Sequence, residues 1–192
     1  MKGAKMPPKV KVTKESIISA AVDMARIGGI DVINARSVAQ ALGVSTQPIF
    51  SNYSNMDELR TDVLSYAEKL YFEYTEREMS KDKYPAYKAS GMAYIGFAKA
   101  EGQLFKLLFM RDRSDMKAVD ESEKMGFVID LVQSNLGVDR DTAKFFHLEM
   151  WVFVHGIATL CATGYLELDD EMASSMISDM YNGLKQKYVK EG

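Results

Sequence analysis

The sequence predicts an all-α protein, with an N-terminal three-helix head and a C-terminal body of about six helices. Three observations lead there. From Thr13 onward apolar residues recur every three or four positions, and alternating, strand-like runs are scarce. Glycine and proline punctuate those runs at Gly28-Gly29, Gly43, Pro85, Gly102, Gly137 and Gly164. Finally, 47% hydrophobic residues in a chain of 192 suffice to bury a sizeable core, and 27% charged residues suit a soluble protein.

Taken in order, Pro7-Pro8 keeps the first dozen residues out of a helix. Thr13 is placed to cap a first helix with Ile17, Ala21, Met24 and Ala25 on one face, ending at Gly28-Gly29. A short second helix follows Asn34, carries Val38, Ala39 and Leu42, and stops at Gly43. Ser45 is the expected cap of a short third helix holding Ile49 and Phe50, with Pro48 in its first turn, where a missing N–H is harmless. A long helix is expected from Asn55 to Glu78, its apolar face formed by Leu59, Val63, Tyr66, Leu70 and Tyr74. Beyond a break at Lys81-Asp82-Lys83, a helix with Tyr94 and Phe97 runs to Gly102, and a shorter one holds Phe105, Leu108 and Phe109. Arg111 to Asp115 reads as a charged turn. Helices at 119–136, 139–163 and 170–188 complete the chain.

Net charge is −3, an average that conceals a division. Up to residue 60 there are eight basic residues (Lys2, Lys5, Lys9, Lys11, Lys14, Arg26, Arg36, Arg60) against five acidic ones, a net +3 that leaves −6 for the rest. Five lysines precede the first acid. Residues 1–12 therefore read either as a flexible basic arm for a phosphate backbone or as a solvated terminus. Cys161, the single cysteine, excludes an internal disulfide framework and a multi-cysteine zinc site. The N-terminus lacks the apolar core of a signal peptide, and the most apolar stretch, 151–162, is too short to span a bilayer. The expectation is a cytoplasmic protein without a membrane partner.

Residues 34–53 hold two short helices joined by Gly43-Val44-Ser45. Ala39, Leu42, Val44 and Ile49 are spaced to pack on the Ile17/Ala21 face, which leaves Thr46, Gln47 and Ser51 as short polar side chains able to reach base edges. The run Ser37-Val38-Ala39-Gln40-Ala41-Leu42-Gly43-Val44-Ser45, followed by Ile49-Phe50 and Asn52-Tyr53, resembles the helix-turn-helix of the TetR family of transcriptional regulators. The similarity extends over about residues 13–60, including Gly28-Gly29-Ile30. It implies a head at 13–60 that binds double-stranded DNA through Arg36, Ser45, Thr46, Gln47, Pro48, Phe50 and Asn52, the last touching phosphate, with Tyr53 packed inside. One position departs from the family's pattern: a lysine is usual near the start of the fourth helix, and here it is Met56.

Residues 61–192 would then form a ligand-binding and dimerisation body. Between Phe145 and Ala162 the polar side chains are His147, Glu149, His155 and Thr159, so this helix demands cover on nearly every face. Met172, Met176, Met180, Leu184 and Tyr188 form a stripe on the last helix, which read alone is ordinary core. Together the two helices resemble the pair that forms the family's four-helix dimer interface, implying a homodimer with Phe153, Ile157, Leu160, Met176, Met180 and Leu184 at its centre. Trp151 to Gly156 resembles a Trp-His-Gly signature of one group of such bodies, and Gly91 to Phe109 resembles that group's preceding helices. In that group the middle helices enclose an effector. Tyr66, Tyr94, Phe105, Phe109, Met125, Ile129, Trp151 and His155 are the candidate lining residues, with plain core packing as the alternative for each. Thirteen methionines suit an adaptable pocket for a small apolar or aromatic effector, and equally an irregular core.

No cofactor or metal is expected. His147 and His155 lie too far apart for a zinc pair on one helical turn, Cys161 reads as a small apolar residue, and Asp169-Asp170-Glu171 as the solvated start of a helix. Catalysis is therefore not expected. The rival to a repressor is a helical adaptor with a vestigial head, which salt-sensitive binding to duplex DNA would separate. Activation in place of repression is also open.

Overall fold

A computed structural model describes residues 12–112 and 122–189, with side chains in the second stretch from Gly126 onward. Among the described residues there are nine α-helices: α1 Lys14–Gly28, α2 Ala35–Ala41, α3 Gln47–Asn52, α4 Met56–Met79, α5 Ala86–Ala100, α6 Gly102–Phe109, α7 Ser122–Leu136, α8 Arg140–Ala162 and α9 Asp170–Tyr188. A 3-10 turn, Ile30–Val32, follows α1. The all-α expectation holds. The chain divides into two compact units between Ala67 and Glu68, so α4 begins in one and ends in the other. Residues 1–11, including the four lysines of the expected basic arm, lie outside the described residues.

Local chemistry sets the helix starts. Thr13 and Ser16 form a reciprocal capping box, as do Asn34 and Ser37; Asp139 and Asp169 accept first-turn N–H groups at α8 and α9. Ser45 does not cap α3. The cap position falls on Thr46, which makes no side-chain cap bond. Pro48 stands in the first turn and brings no N–H, and the Ile49 N–H donates to the Thr46 carbonyl at 3.1 Å, so little remains for a cap hydroxyl to accept.

In the first unit Ile17, Ala21, Val22 and Ala25 of α1, Val38 and Ala39 of α2, Ile49 of α3, and Leu59, Val63 and Ala67 of α4 are buried around Ile33 and Tyr53. Val22, not Met24, completes the α1 face, and Ala67, not Tyr66, lies on the buried face of α4. Charge reinforces the packing. The Lys14 ammonium lies 2.8 Å from Asp62 and above the Tyr53 ring, while the Tyr53 hydroxyl donates to Asp62 at 3.1 Å. This ties α1, the end of α3 and α4 together.

In the second unit α8 packs on α5, α6, α7 and α9, and α5 packs also on α6, α7 and α9. Ala143, Phe146, Met150, Val154, Ile157 and Ala158 form the buried face of α8. Polar links close the outside: Lys187 and Tyr188 of α9 meet Glu149 of α8 at 2.7 and 2.9 Å, and Lys88 and Lys99 of α5 reach Ser178 and Asp170 of α9 at 2.7 and 2.8 Å. With 23 residues, α8 has the length and composition of a membrane span, although the apolar stretch expected from the sequence was shorter. Its packing against four helices buries one face of it and leaves most of the apolar window outside the core.

Gly43 has φ 67° in the turn between α2 and α3, and a Cβ there would meet nothing within 4 Å. Gly43→Ala should therefore destabilise the head through backbone strain alone, by about 1 kcal/mol. A urea titration of the variant checks this, since a cost well above that figure would reveal a clash the turn does not have.

Candidate nucleic-acid interface and body core

Ile49 and Tyr53, 0% and 2% exposed, anchor α3 to the head and so fix which side of it faces water. On that outer side Thr46, Gln47, Phe50 and Ser51 are exposed, and Pro48 and Asn52 are half-buried. Gln47, Phe50 and Ser51 are spaced i, i+3, i+4 and share one face. The Ser51 hydroxyl donates to the Gln47 carbonyl at 3.0 Å and the Asn52 amide to the Pro48 carbonyl at 2.8 Å, so both are partly committed to the helix itself. Ser45, also exposed, sits in the turn just before.

The head's basic residues sort into two groups. Lys14 is paired with Asp62, Arg26 with Asp23, and Arg60 with Asp57 and the Ile33 carbonyl. Arg36, exposed on the first turn of α2, has no acidic partner among the described residues. Its guanidinium is therefore available to an anion outside the protein. Met56, half-buried at the start of α4, offers no charge.

In the body an aromatic cluster surrounds His155. The Tyr94 hydroxyl lies 2.9 Å from His155 Nδ1; Trp151 stacks on the imidazole at 5.0 Å and 19°; Phe105 and Phe109 pack on Tyr94 at 5.3 and 5.0 Å. Five of the expected lining residues, Tyr94, Phe105, Phe109, Trp151 and His155, are thus brought together. The others are placed differently. Ile129 is buried on α7, Tyr66 lies in the first unit and is 40% exposed, and Met125 falls outside the described side chains. Sequence reading missed Tyr71, whose ring touches Tyr94, Phe97 and Phe109 at 5.1–6.0 Å, while Tyr74, expected on the apolar face of α4, lies against Gly96. A Cβ at Gly96 would come within 2.8 Å of the Tyr74 hydroxyl, so the glycine lets α4 approach α5 there. The 67, 71, 74 spacing on α4 was the available signal.

A second pair repeats the first. Tyr87 of α5 lies 3.1 Å from His147 Nδ1, with Phe146 and Tyr181 around the ring. Burial holds both histidines below the ordinary imidazole pKa and pushes the Tyr87 phenol up. Both pairs are accordingly neutral hydrogen-bonded units rather than ion pairs.

Of the expected dimer residues, Ile157 and Leu184 are buried within their own chain, at 4% and 9% exposure; Phe153, Met176 and Met180 are half-buried, and Leu160 is exposed. The apolar stripe that α8 does present to water is Phe145, Leu148, Val152 and Leu160, with Trp151 beside it. Among the described residues no His, Cys, Asp or Glu cluster has metal-binding geometry.

A helix-turn-helix with an exposed, uncharged outer face, followed by an all-helical body with an aromatic centre, is the architecture expected of a one-component DNA-binding regulator. Residues 87–180 match the family described as Tetracyclin repressor-like, C-terminal domain. Similar solved structures include a TetR-like transcriptional regulator from Rhodococcus sp. RHA1 (16% identity, 94% of this chain and 98% of that one, TM-score 0.65). Another is a transcriptional regulator from the same organism (16%, 94% and 100%, 0.61), and a third a protein of unknown function, also from it (21%, 93% and 98%, 0.64). No curated protein matches the sequence. The chain therefore carries a match to a tetracyclin repressor-like C-terminal domain and shares the fold of TetR-like transcriptional regulators over nearly its whole length.

The histidine pairs have a consequence for stability. As pH falls below about 6.5, the ordinary histidine value, the unfolded chain binds protons at His147 and His155 that the folded body resists. Stability should rise with pH through that window. Melting temperatures from about pH 5 to 7.5 check it, and His147→Gln with His155→Gln should flatten the slope there.

Proposed function

We propose that the chain is a repressor that binds a pseudo-palindromic operator as a homodimer and is released by a small apolar or aromatic effector. The observation that carries this reading is the outer side of α3: exposed Thr46, Gln47, Phe50 and Ser51 held by a buried Ile49 and Tyr53, with Arg36, which has no acidic partner among the described residues, on the preceding helix. That is the arrangement with which a recognition helix enters a major groove while the helix before it meets the backbone. Ser45, Pro48 and Asn52 border the same face, and the lysines of residues 1–12 would supply further phosphate contacts. In this reading 13–60 is the DNA-binding domain and 61–192 the ligand-binding and dimerisation domain.

The homodimer is supported by the α8 stripe. Phe145, Leu148, Val152 and Leu160 are 37–63% exposed along one side of the helix. Gly156 lies between them with nothing within 4 Å of a would-be Cβ, leaving room for a second helix to come close. Met172 is 53% exposed, and with Met176 and Met180 it extends the apolar side chains onto α9. A two-fold axis through α8 and α9 would give each dimer two reading heads, one for each half-site.

The effector is assigned to the Tyr94–His155 cluster, where one polar pair sits among four aromatic rings, those of Tyr71, Phe105, Phe109 and Trp151. An apolar or aromatic molecule there would replace ring contacts in kind, with Tyr94 and His155 as its hydrogen-bonding groups. Tyr71 and Tyr74 place α4 against this cluster, and the same helix carries Leu59 and Val63 in the head core. An effector that moves α4 therefore acts on both units, and a preference of about 1–3 kcal/mol for one head arrangement suffices for control.

Selection of randomised duplex DNA on the full chain at near-physiological salt tests the reading. Enrichment of a pseudo-palindrome with half-sites about one helical turn apart is expected; no enrichment, with the protein folded and dimeric, would favour the adaptor. On the selected site Arg36→Ala should weaken binding and make the salt dependence shallower by about 0.9 per lost phosphate contact. Separately, Phe145→Asp with Val152→Asp should give a monomer by analytical ultracentrifugation. A dimer that survives both changes would move the interface elsewhere.

A further inference from the structure

We infer that the base pairs lying under α3 in each half-site are A·T pairs, with an adenine read by Gln47 and thymine methyl groups packed against Phe50. The inference rests on the DNA-binding reading above and concerns what that face can recognise. In the major groove guanine is read through its O6 and N7 by arginine or lysine, and cytosine N4 by a carboxylate. The segment Val44 to Asn52 contains no lysine, arginine, aspartate or glutamate. The charged side chains that pick out a G·C pair are thus missing from the element that enters the groove. Arg36 stands on α2, outside that element.

What the face does hold fits the other pair. Gln47 is exposed, and its carboxamide makes no hydrogen bond within the described protein. A free carboxamide matches adenine N6 and N7 with one donor and one acceptor. Ser51 and Asn52, the neighbours that could compete for that role, already donate to the Gln47 and Pro48 carbonyls. Phe50 lies one turn further along the same face and is 56% exposed, an aromatic ring with no apolar neighbour to cover it fully. The thymine C5 methyl is the apolar group of the major groove, and a ring or methyl packed on it is favourable. The Thr46 methyl and the half-buried Pro48 ring extend that apolar surface. Because Ile49 and Tyr53 are buried, the face cannot roll to offer a different set.

The test uses the full chain and the site recovered by selection. Each thymine under α3 is replaced in turn by uracil, which removes only the methyl, and each adenine by 7-deazaadenine, which removes only N7. The result expected is an A·T core in which 7-deazaadenine at one position costs about fivefold or more in affinity for the unaltered chain but not for Gln47→Ala. Uracil at a neighbouring position should weaken binding by the unaltered chain, with no further loss for Phe50→Ala. Both side chains are exposed, and circular dichroism of the two variants confirms that the head remains helical. A recovered site with G·C pairs under α3, or an A·T core indifferent to both replacements, overturns this inference while leaving the DNA-binding reading intact. Failure to recover any site overturns both.

Discussion

The body depends on the seam between α5 and α8. Each helix buries an apolar face there, and into that seam the chain sets two polar pairs, Tyr87 with His147 and Tyr94 with His155. The tyrosines are seven residues apart and the histidines eight, so each pair recurs after about two turns of its own helix. A buried phenol or imidazole without a partner is costly, and a slip of one helix along the other would leave all four groups unpaired. The pairs therefore fix register where apolar contacts alone would tolerate sliding. Gly91 lies between the two tyrosines, and its would-be Cβ meets Ile177 and Val154 at 3.5 and 3.6 Å, ordinary contact distances. Once this seam is set, α6, α7 and α9 are positioned by packing on one or both of its helices.

The same seam explains why α8 has an unpaired side. A helix apolar all round carries no periodicity to say which residues face inward. The sequence could state that α8 needs cover everywhere, but it could not tell Ile157, which its own chain buries, from Val152, which it leaves exposed. The sequence alone therefore offers Phe153 and Ile157 for the interface as readily as Val152. The Tyr–His pairs fix the rotation of α8 about its axis, and they join residues 60 and 61 positions apart, a distance over which one sequence offers no link.

The head was legible in much finer detail, for the opposite reason. Its signals are local: cap residues, a glycine at the turn, and short helices whose apolar positions leave one solution. Even so, two local readings shifted. Ser45 lost the cap position because Pro48 removes an N–H that a cap would serve. On α4 the buried face passes through Ala67 and then Tyr71, and a small alanine is a weak apolar signal beside the larger Tyr66. Long-range charge pairing was out of reach as well. Counting basic residues gave the head a positive balance, yet the count does not distinguish Lys14, held by Asp62, from Arg36, held by nothing described.

That distinction bears on how this head can bind. Lys14, Arg26 and Arg60 all lie within ion-pair distance of a carboxylate of the head, and Lys14 also helps to close its core through Asp62 and Tyr53. A contact from any of them to phosphate would have to compete with the acid already beside it. Between residues 12 and 60 one cation per head is left without such a competitor, and two heads with Arg36 alone would give a salt slope of only about −1.8. Non-specific affinity from such a surface is weak. Either the lysines of residues 1–12 add to it, or binding leans on base contacts and on the simultaneous engagement of two heads. In the proposed DNA-binding reading the folded head would contribute mainly selectivity, because the outer face of α3 is neutral and the positive charge is largely spent on holding α1, α3 and α4 in place.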